Sequence, residues 1–355
     1  MQKMRLAVLL LGIQACIAGC GAGGISESNI NAGVGRTEEQ EVILEEGLQE
    51  KKQASQSRPS GERYSVDTKI SEIMADPDFG GFGRLIFPVH DGYYSGSTLG
   101  DLNLTWYSNI DPDKTVEIAN YLKEHASAGD PIFYDIYTEE EKAADPAKED
   151  TGLFFFRGNP NERFAVCNAG GGFAYVAAMH DSFPHALELS KLGYNAFALI
   201  YRPGAQTACE DLARAISFIF AHAKELKVNT DCYSLWGGSA GARMAAYLGT
   251  YGTAAFGGDD LPKAGTVVMQ YTGHGEYSEV DPPTYACVGT NDGIANWRTM
   301  QNRLTEMDRL GIPTEFHVYE GLRHGFGLGT GTVAEGWLND AAAFWENQMD
   351  EGTGG

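Results

Sequence analysis

The chain has 355 residues, 43% hydrophobic and 21% charged, enough for one large domain, or at most two, around a substantial core. Its formal net charge is −22. A surface of that sign repels phosphate backbones and anionic headgroups, which argues against nucleic acid as a partner and against electrostatic docking to an anionic membrane.

In chain order, Lys3 and Arg5 form a short positive region, and Leu6–Ile13 is an apolar run too short to span a bilayer. That is the layout of a secretory signal peptide. The segment ends in Ile17-Ala18-Gly19-Cys20, which resembles the lipobox of bacterial lipoproteins. The resemblance implies diacylation of Cys20, removal of everything before it, and a product exported to the extracytoplasmic face and anchored in a membrane. Residues 1–20 are thus read as signal peptide and lipid-bearing cysteine. Residues 21–63 contain Gly, Ser, Gln, Glu and Lys but no aromatic residue. They cannot bury enough apolar surface to offset ordering and read as a flexible linker.

Aromatic residues return in residues 64–150, with Phe79, Phe82, Phe87, Tyr93, Tyr94, Trp106 and Tyr107. Gly80-Gly81 and Asp91-Gly92 mark turns. Helical spacing covers Thr115–Glu124, and Pro131–Tyr137 reads as a strand. This segment is expected to be an N-terminal extension packed on the core that follows.

Residues 151–350 are more regular. Short apolar runs at Leu153–Phe156, Phe164–Cys167, Asn195–Tyr201, Cys232–Trp236, Thr266–Tyr271, Thr284–Val288 and Glu315–Tyr319 read as strands. Amphipathic stretches at His185–Leu192, Cys209–Leu226, Ala240–Leu248, Trp297–Leu310 and Val333–Met349 read as helices. The alternation predicts an α/β fold with a mostly parallel central sheet covered by helices on both faces. Functional groups in such sheets gather at the carboxyl ends of the strands. Cys167, Cys209, Cys232 and Cys287 are read as small buried hydrophobes, with a disulfide left open. No paired CxxC or HExxH indicates a metal site.

Gly237-Gly238-Ser239-Ala240-Gly241 is a GxSxG pentapeptide. The motif alone says little in a chain with 45 glycines; its place between a predicted strand and a predicted helix is what gives it weight. Glycines relieve the crowding of an abrupt strand-to-helix turn, and the turn lifts the Ser239 hydroxyl above the sheet at a helix N-terminus. A serine nucleophile needs a base, and the base an orienting carboxylate, in the chain order Ser, acid, His. Asp292 follows the strand Thr284–Val288 on a tight turn, and His324 lies on the loop after Glu315–Tyr319. Among competitors, His317 lies inside a strand, His274 is placed to line a cleft, and His180 and His185 read as caps or surface groups. Asp281 and Asp259-Asp260 do not directly end strands. Asn168-Ala169-Gly170-Gly171-Gly172-Phe173 follows the strand Phe164–Cys167 and is the candidate oxyanion loop. Its expected donors are the N–H groups of Gly171 and Gly172, together with that of Ala240.

These pieces resemble the bacterial acetyl esterase/lipase group of α/β-hydrolases, which includes acetyl-xylan and feruloyl esterase-like members and is related to hormone-sensitive-lipase-like esterases. The Gly triplet followed by an aromatic, Tyr201-Arg202-Pro203, Asp211 and His324-Gly325-Phe326 carry the likeness, which spans Leu153 to Glu346. Many relatives have His-Gly or a proline before the glycines, where this chain has Asn168-Ala169. The resemblance implies the α/β-hydrolase fold, the triad Ser239, Asp292 and His324, and ester hydrolysis without a cofactor. The expected substrates are short-chain acyl esters of small molecules or carbohydrates, acetylated polysaccharide among them. Two rival readings stay open, a serine peptidase of the prolyl-oligopeptidase type and a non-catalytic surface-binding lipoprotein.

Overall fold

The computed structural model describes residues 63–89 and 91–352. The expectations for the signal peptide, for Cys20 and for the linker up to residue 62 lie outside the described residues. Two short strands, β1 (Tyr94–Ser95) and β2 (Asn103–Leu104), form an antiparallel ribbon in the extension. Eight more make the central sheet: β3 (Phe133–Tyr134), β4 (Gly152–Phe156), β5 (Arg163–Asn168), β6 (Asn195–Ile200), β7 (Asn229–Gly238), β8 (Thr266–Gln270), β9 (Thr284–Gly289) and β10 (Thr314–Tyr319). Their spatial order is β10-β9-β8-β7-β5-β6-β4-β3. Neighbours from β6 to β10 pair in parallel, while β4 runs antiparallel to β6 and β3 antiparallel to β4. The mostly parallel sheet expected from the sequence is therefore present. Strands β4, β6, β8 and β9 are buried along their whole length, which is why they read as continuous apolar runs rather than alternating ones.

The helices are α1 (Ile70–Met74), α2 (Pro112–Ser127), α3 (Glu139–Ala144), α4 (Ser182–Lys191), α5 (Ala205–Ala221), α6 (Ala223–Leu226), α7 (Ala240–Tyr251), α8 (Trp297–Arg309) and α9 (Trp337–Gly352). Side chains alternate across a strand, and β4 shows how this uses both faces. Phe154 and Phe156 meet Phe183 of α4. The intervening Phe155 stacks on Phe197 and touches Tyr134, which in turn meets Phe218 of α5. Helices α4 and α5 thus cover opposite faces.

Most helices begin or end a few residues from expectation, and two of these differences have a visible local cause. The stretch Cys209–Leu226 is split at His222, whose backbone (φ −109°, ψ 13°) leaves the helix between α5 and α6; Leu226 is still buried, so the apolar spacing runs through the break. Helix α9 starts at Trp337 rather than near Val333, because Gly336 sits at φ +94° and Val333 is exposed.

Aromatic residues of the extension continue the core: Phe82 stacks on Phe133 at 4.8 Å and meets Phe154 edge-on. Cys167, Cys209, Cys232 and Cys287 are free thiols, all buried except Cys232, which is half-buried. No helix among the described residues is long and apolar enough to cross a membrane.

Candidate active site

Strand β7 passes into α7 through a single residue, Ser239, at φ 51° and ψ −111°. A non-glycine residue there carries about 1–3 kcal/mol of backbone strain, which surrounding contacts must hold. Its N–H donates to the Gln270 carbonyl on β8 at 2.9 Å. The turn has no room for side chains on its glycine flanks. A methyl group at Gly237 would lie 2.3 Å from the Gly241 carbonyl carbon, and one at Gly241 would lie 1.9 Å from the Asn168 oxygen. The glycines of the motif are a packing requirement.

The structure brings Ser239, Asp292 and His324 together at the carboxyl ends of β7, β9 and β10. His324 Nε2 is 3.0 Å from Ser239 Oγ, and His324 Nδ1 is 2.7 Å from Asp292 Oδ2. Asp292 Oδ1 accepts the N–H groups of Ile294 and Ala295 at 2.8 and 2.7 Å, so the turn fixes the carboxylate and leaves Oδ2 to the imidazole. The Asp292 side chain is 1% exposed and that of His324 7%. Tyr271 packs edge-on against the His324 ring at 5.0 Å.

The glycine loop leaves β5 beside the elbow. Gly171 and Gly172 take positive φ angles of 125° and 64°. The N–H groups of Gly171, Gly172 and Ala240 find no acceptor among the described residues. The Gly170 N–H is not free, since it donates to Asp181 Oδ2 at 2.7 Å. Asn168 is fully buried, and its amide donates to the Trp236 carbonyl at 3.0 Å, tying β5 to β7 below the elbow. Tyr201 closes the far side, its hydroxyl donating to the Ala169 carbonyl at 2.6 Å.

The competing residues are engaged elsewhere. Asp281 pairs with Arg303 at 3.0 Å. His317 contacts Glu315 at 2.6 Å. His274 is buried, edge-on to Tyr247. His180 and His185, expected as caps or surface groups, are instead buried: His180 lies against Leu102 of the extension, and His185, within α4, packs edge-on to Trp337 of α9 at 5.2 Å. Burial lowers the pKa values of His180, His185 and His274 from 6.5 to about 4, about 3 and about 3.

This gives an acid-stability prediction. An unfolded chain takes up these protons as pH falls through 6.5, whereas the folded chain does not until about 4 or lower, so acidification across that window favours unfolding. Asp181 has the opposite sign: burial raises it from 3.8 to about 6, so its contribution to stability falls as pH rises through that value. His185 Nδ1 lies 3.5 Å from Asp181 Oδ1, so those two titrate as a pair, and His180 and His274 set the sign. Urea titrations at pH 6.5 and 4.5 should show a loss on the order of several kcal/mol at the lower pH; an unchanged or higher midpoint there would contradict the assignment.

Asp181 and the tyrosines around it escaped the sequence reading. Asp181 looks like an ordinary helix N-cap, and Tyr107 lies in an extension without periodic signal. A lone carboxylate inside the mostly apolar stretch 175–187 was the available clue. Among the described residues no cluster of His, Cys, Asp and Glu is arranged to hold a metal ion.

Residues 159–274, running from just before β5 through Ser239 to just past β8, match the family model BD-FAE. A comparison with curated proteins finds no match. Among solved structures, an acetyl ester-xyloside bifunctional hydrolase from Caldicellulosiruptor lactoaceticus is 20% identical, with a TM-score of 0.53, over 61% of this chain and 95% of that one. Esterase 2 of the Planctomycetes species Thermogutta terrifontis, with butyrate bound, is 19% identical, with a TM-score of 0.50, over 61% and 93%. The sheet order, the strand-to-helix turn at Ser239 and these likenesses agree: the chain has the α/β-hydrolase fold, and its residues 159–274 are similar to BD-FAE, an α/β-hydrolase esterase family.

Proposed function

We propose that the protein hydrolyses carboxylic esters through an acyl-enzyme on Ser239. The observation that carries this reading is the hydrogen-bonded series Asp292–His324–Ser239, at 2.7 and 3.0 Å, on a fold that offers unused N–H groups beside the serine. His324 takes the hydroxyl proton as Ser239 Oγ attacks the ester carbonyl, and Asp292 holds the imidazole with Nε2 toward the serine. The N–H groups of Gly171, Gly172 and Ala240 receive the oxyanion. His324 returns the proton to the departing alcohol. Water then attacks the acyl-enzyme, giving a proton to His324, which passes it to Ser239 Oγ as the acid leaves, so the free serine and neutral imidazole are restored.

Short acyl groups on the hydroxyls of sugars are the substrate class we favour, in line with the acetyl ester-xyloside hydrolase among the structural neighbours. A feature of the mouth supports the sugar part. Trp106 is 46% exposed and covers Gly172 so closely that a methyl group there would meet its indole at 2.9 Å. An exposed indole at that point offers a flat apolar face to a pyranose ring. Trp106→Ala should raise KM for an acetylated xylo-oligosaccharide about 3- to 10-fold, the loss of one modest contact, and leave KM for 4-nitrophenyl acetate within about twofold. Equal changes in both would remove the indole from substrate recognition. Export with a lipid at Cys20 belongs to the same proposal; labelled palmitate should enter the wild type and not Cys20→Ser.

A panel of nitrophenyl esters, acetylated sugars and peptide anilides tests the reaction class. Rapid ester turnover is expected, falling with acyl length. Anilide cleavage with inert esters would overturn it in favour of a peptidase.

A further inference from the structure

The least expected group near the site is the Asp181 carboxylate. It stands at the N-cap position of α4, where an aspartate ordinarily accepts backbone N–H groups of its own helix, yet it makes no capping hydrogen bond. Its side chain turns the other way and is completely buried. There Oδ2 accepts the Gly170 N–H at 2.7 Å and the Tyr107 hydroxyl at 2.6 Å, and Oδ1 accepts the Tyr271 hydroxyl at 3.3 Å. The carboxylate also lies against the elbow, since a methyl group at Gly238 would fall 2.5 and 2.6 Å from its two oxygens. One carboxylate thus touches the glycine loop, the residue before the nucleophile and the tyrosine that packs on His324.

The donor at 2.6 Å comes from the extension, outside the segment matched by the family model. Residues 105–108 are wedged between the glycine loop and the His324 loop. A methyl group at Gly170 would sit 2.5 Å from the Tyr107 hydroxyl and 2.8 Å from Ser239 Cβ, and one at Gly325 would sit 2.8 Å from the Tyr107 Cα. Ser108 Oγ donates to the His324 carbonyl at 2.8 Å, and the Tyr175 hydroxyl donates to the Thr105 carbonyl at 2.5 Å. A buried, charge-assisted network of this kind rigidifies what it touches when every member is satisfied, and loses more than one bond when a member is removed.

We propose that Tyr107 and Asp181 are positioning residues for acyl transfer. The extension supplies the hydroxyl that seats the Asp181 carboxylate, and the carboxylate sets Gly170 so that the next two N–H groups face the oxyanion. This rests on the ester-hydrolase reading given above. Burial raises the pKa of Asp181 to about 6, against the lowering effect of its hydrogen bonds and of the nearby His324. Its donors therefore matter for keeping it ionised at neutral pH. An uncompensated carboxylate there would take up a proton or shift, and the glycine loop would follow.

The test uses the full chain and two variants, Tyr107→Phe, which keeps the ring, and Asp181→Asn. The readouts are kcat and KM for 4-nitrophenyl acetate, and the inhibition constant of phenylboronic acid, whose tetrahedral adduct on a serine occupies the oxyanion site. Each variant should lower kcat about 10- to 100-fold, somewhat less than outright loss of an oxyanion donor. KM should stay within about threefold, and the boronate should weaken in proportion to kcat. If Asp181→Asn does not fold, Tyr107→Phe decides alone. Tyr107→Phe with kcat and boronate affinity within twofold of wild type would overturn the proposal, as would a loss expressed wholly in KM. A wild type that hydrolyses esters and carries a covalent label at Ser239 alongside such a neutral Tyr107→Phe would sink only this inference. A wild type inert to every ester would sink the functional reading and this inference with it.

Discussion

Ser239→Ala should lower kcat for 4-nitrophenyl acetate on the order of 10⁶-fold, with KM and melting temperature close to wild type. The size of the effect follows from the proposed chemistry. Without Oγ there is no acyl-enzyme, and His324 and the loop N–H groups retain only the weak catalysis open to a bound water. Stability should hardly move, because alanine inherits the same positive φ of 51° and Ser239 Oγ has one hydrogen-bond partner among the described residues, His324. His324→Ala should cost a similar factor, and the double variant little more than either alone, because the groups act as a unit. A residual rate within a hundredfold of wild type would place the nucleophile elsewhere.

Asp211→Ala should have the largest effect on stability, about 3–5 kcal/mol. Asp211 is completely buried on α5. It accepts the Arg202 backbone N–H at 2.7 Å, Nε at 3.0 Å and Nη2 at 2.7 Å, and the Tyr137 hydroxyl at 2.5 Å. The Arg202 side chain is 9% exposed and also meets Asp145 at 2.5 Å and Glu210 at 3.9 Å, so removing Asp211 leaves a nearly buried guanidinium with only two solvent-exposed carboxylates. Tyr137 and Asp145 belong to the extension and Arg202 lies two residues past the end of β6, so the loss should loosen the extension from the sheet. In urea the midpoint should fall with an unchanged slope. Replacing the pair together, as Arg202→Met with Asp211→Leu, should recover much of the loss, since no buried charge is then left unpaired and Asp145 is open to solvent. An unchanged midpoint for Asp211→Ala would show that solvent or relaxation satisfies the arginine.

The parts of the fold that were legible in the sequence are those where local chemistry and global position agree. Runs such as Asn195–Ile200 and Thr284–Gly289 are buried on both faces and read as strands because nothing polar interrupts them. Ser239, Asp292 and His324 stood out because a strand end, a tight turn and a glycine-flanked loop each announce themselves within a few residues. What was hidden depends on contacts between distant segments. Ser108 and the His324 carbonyl are 216 residues apart in the chain, and Tyr107 and Asp181 are 74 apart; no local pattern encodes either pair. His180 and His185 read as polar and therefore exposed, whereas the extension packs on His180 and Trp337 of α9 on His185, and burial keeps them neutral. The extension itself was difficult to read because much of it before α2 is short 3₁₀ turns and two-residue strands held by tertiary packing.

The measurement that bears most directly on the ester-hydrolase account is the mass of the full-length protein after reaction with diethyl 4-nitrophenyl phosphate, followed by peptide mapping. A serine activated by His324 should acquire a single diethylphosphoryl group on Ser239, in step with loss of 4-nitrophenyl acetate hydrolysis, and Ser239→Ala should acquire none. Continued ester hydrolysis with Ser239 unmodified, or stoichiometric modification of another residue in step with inactivation, would contradict it.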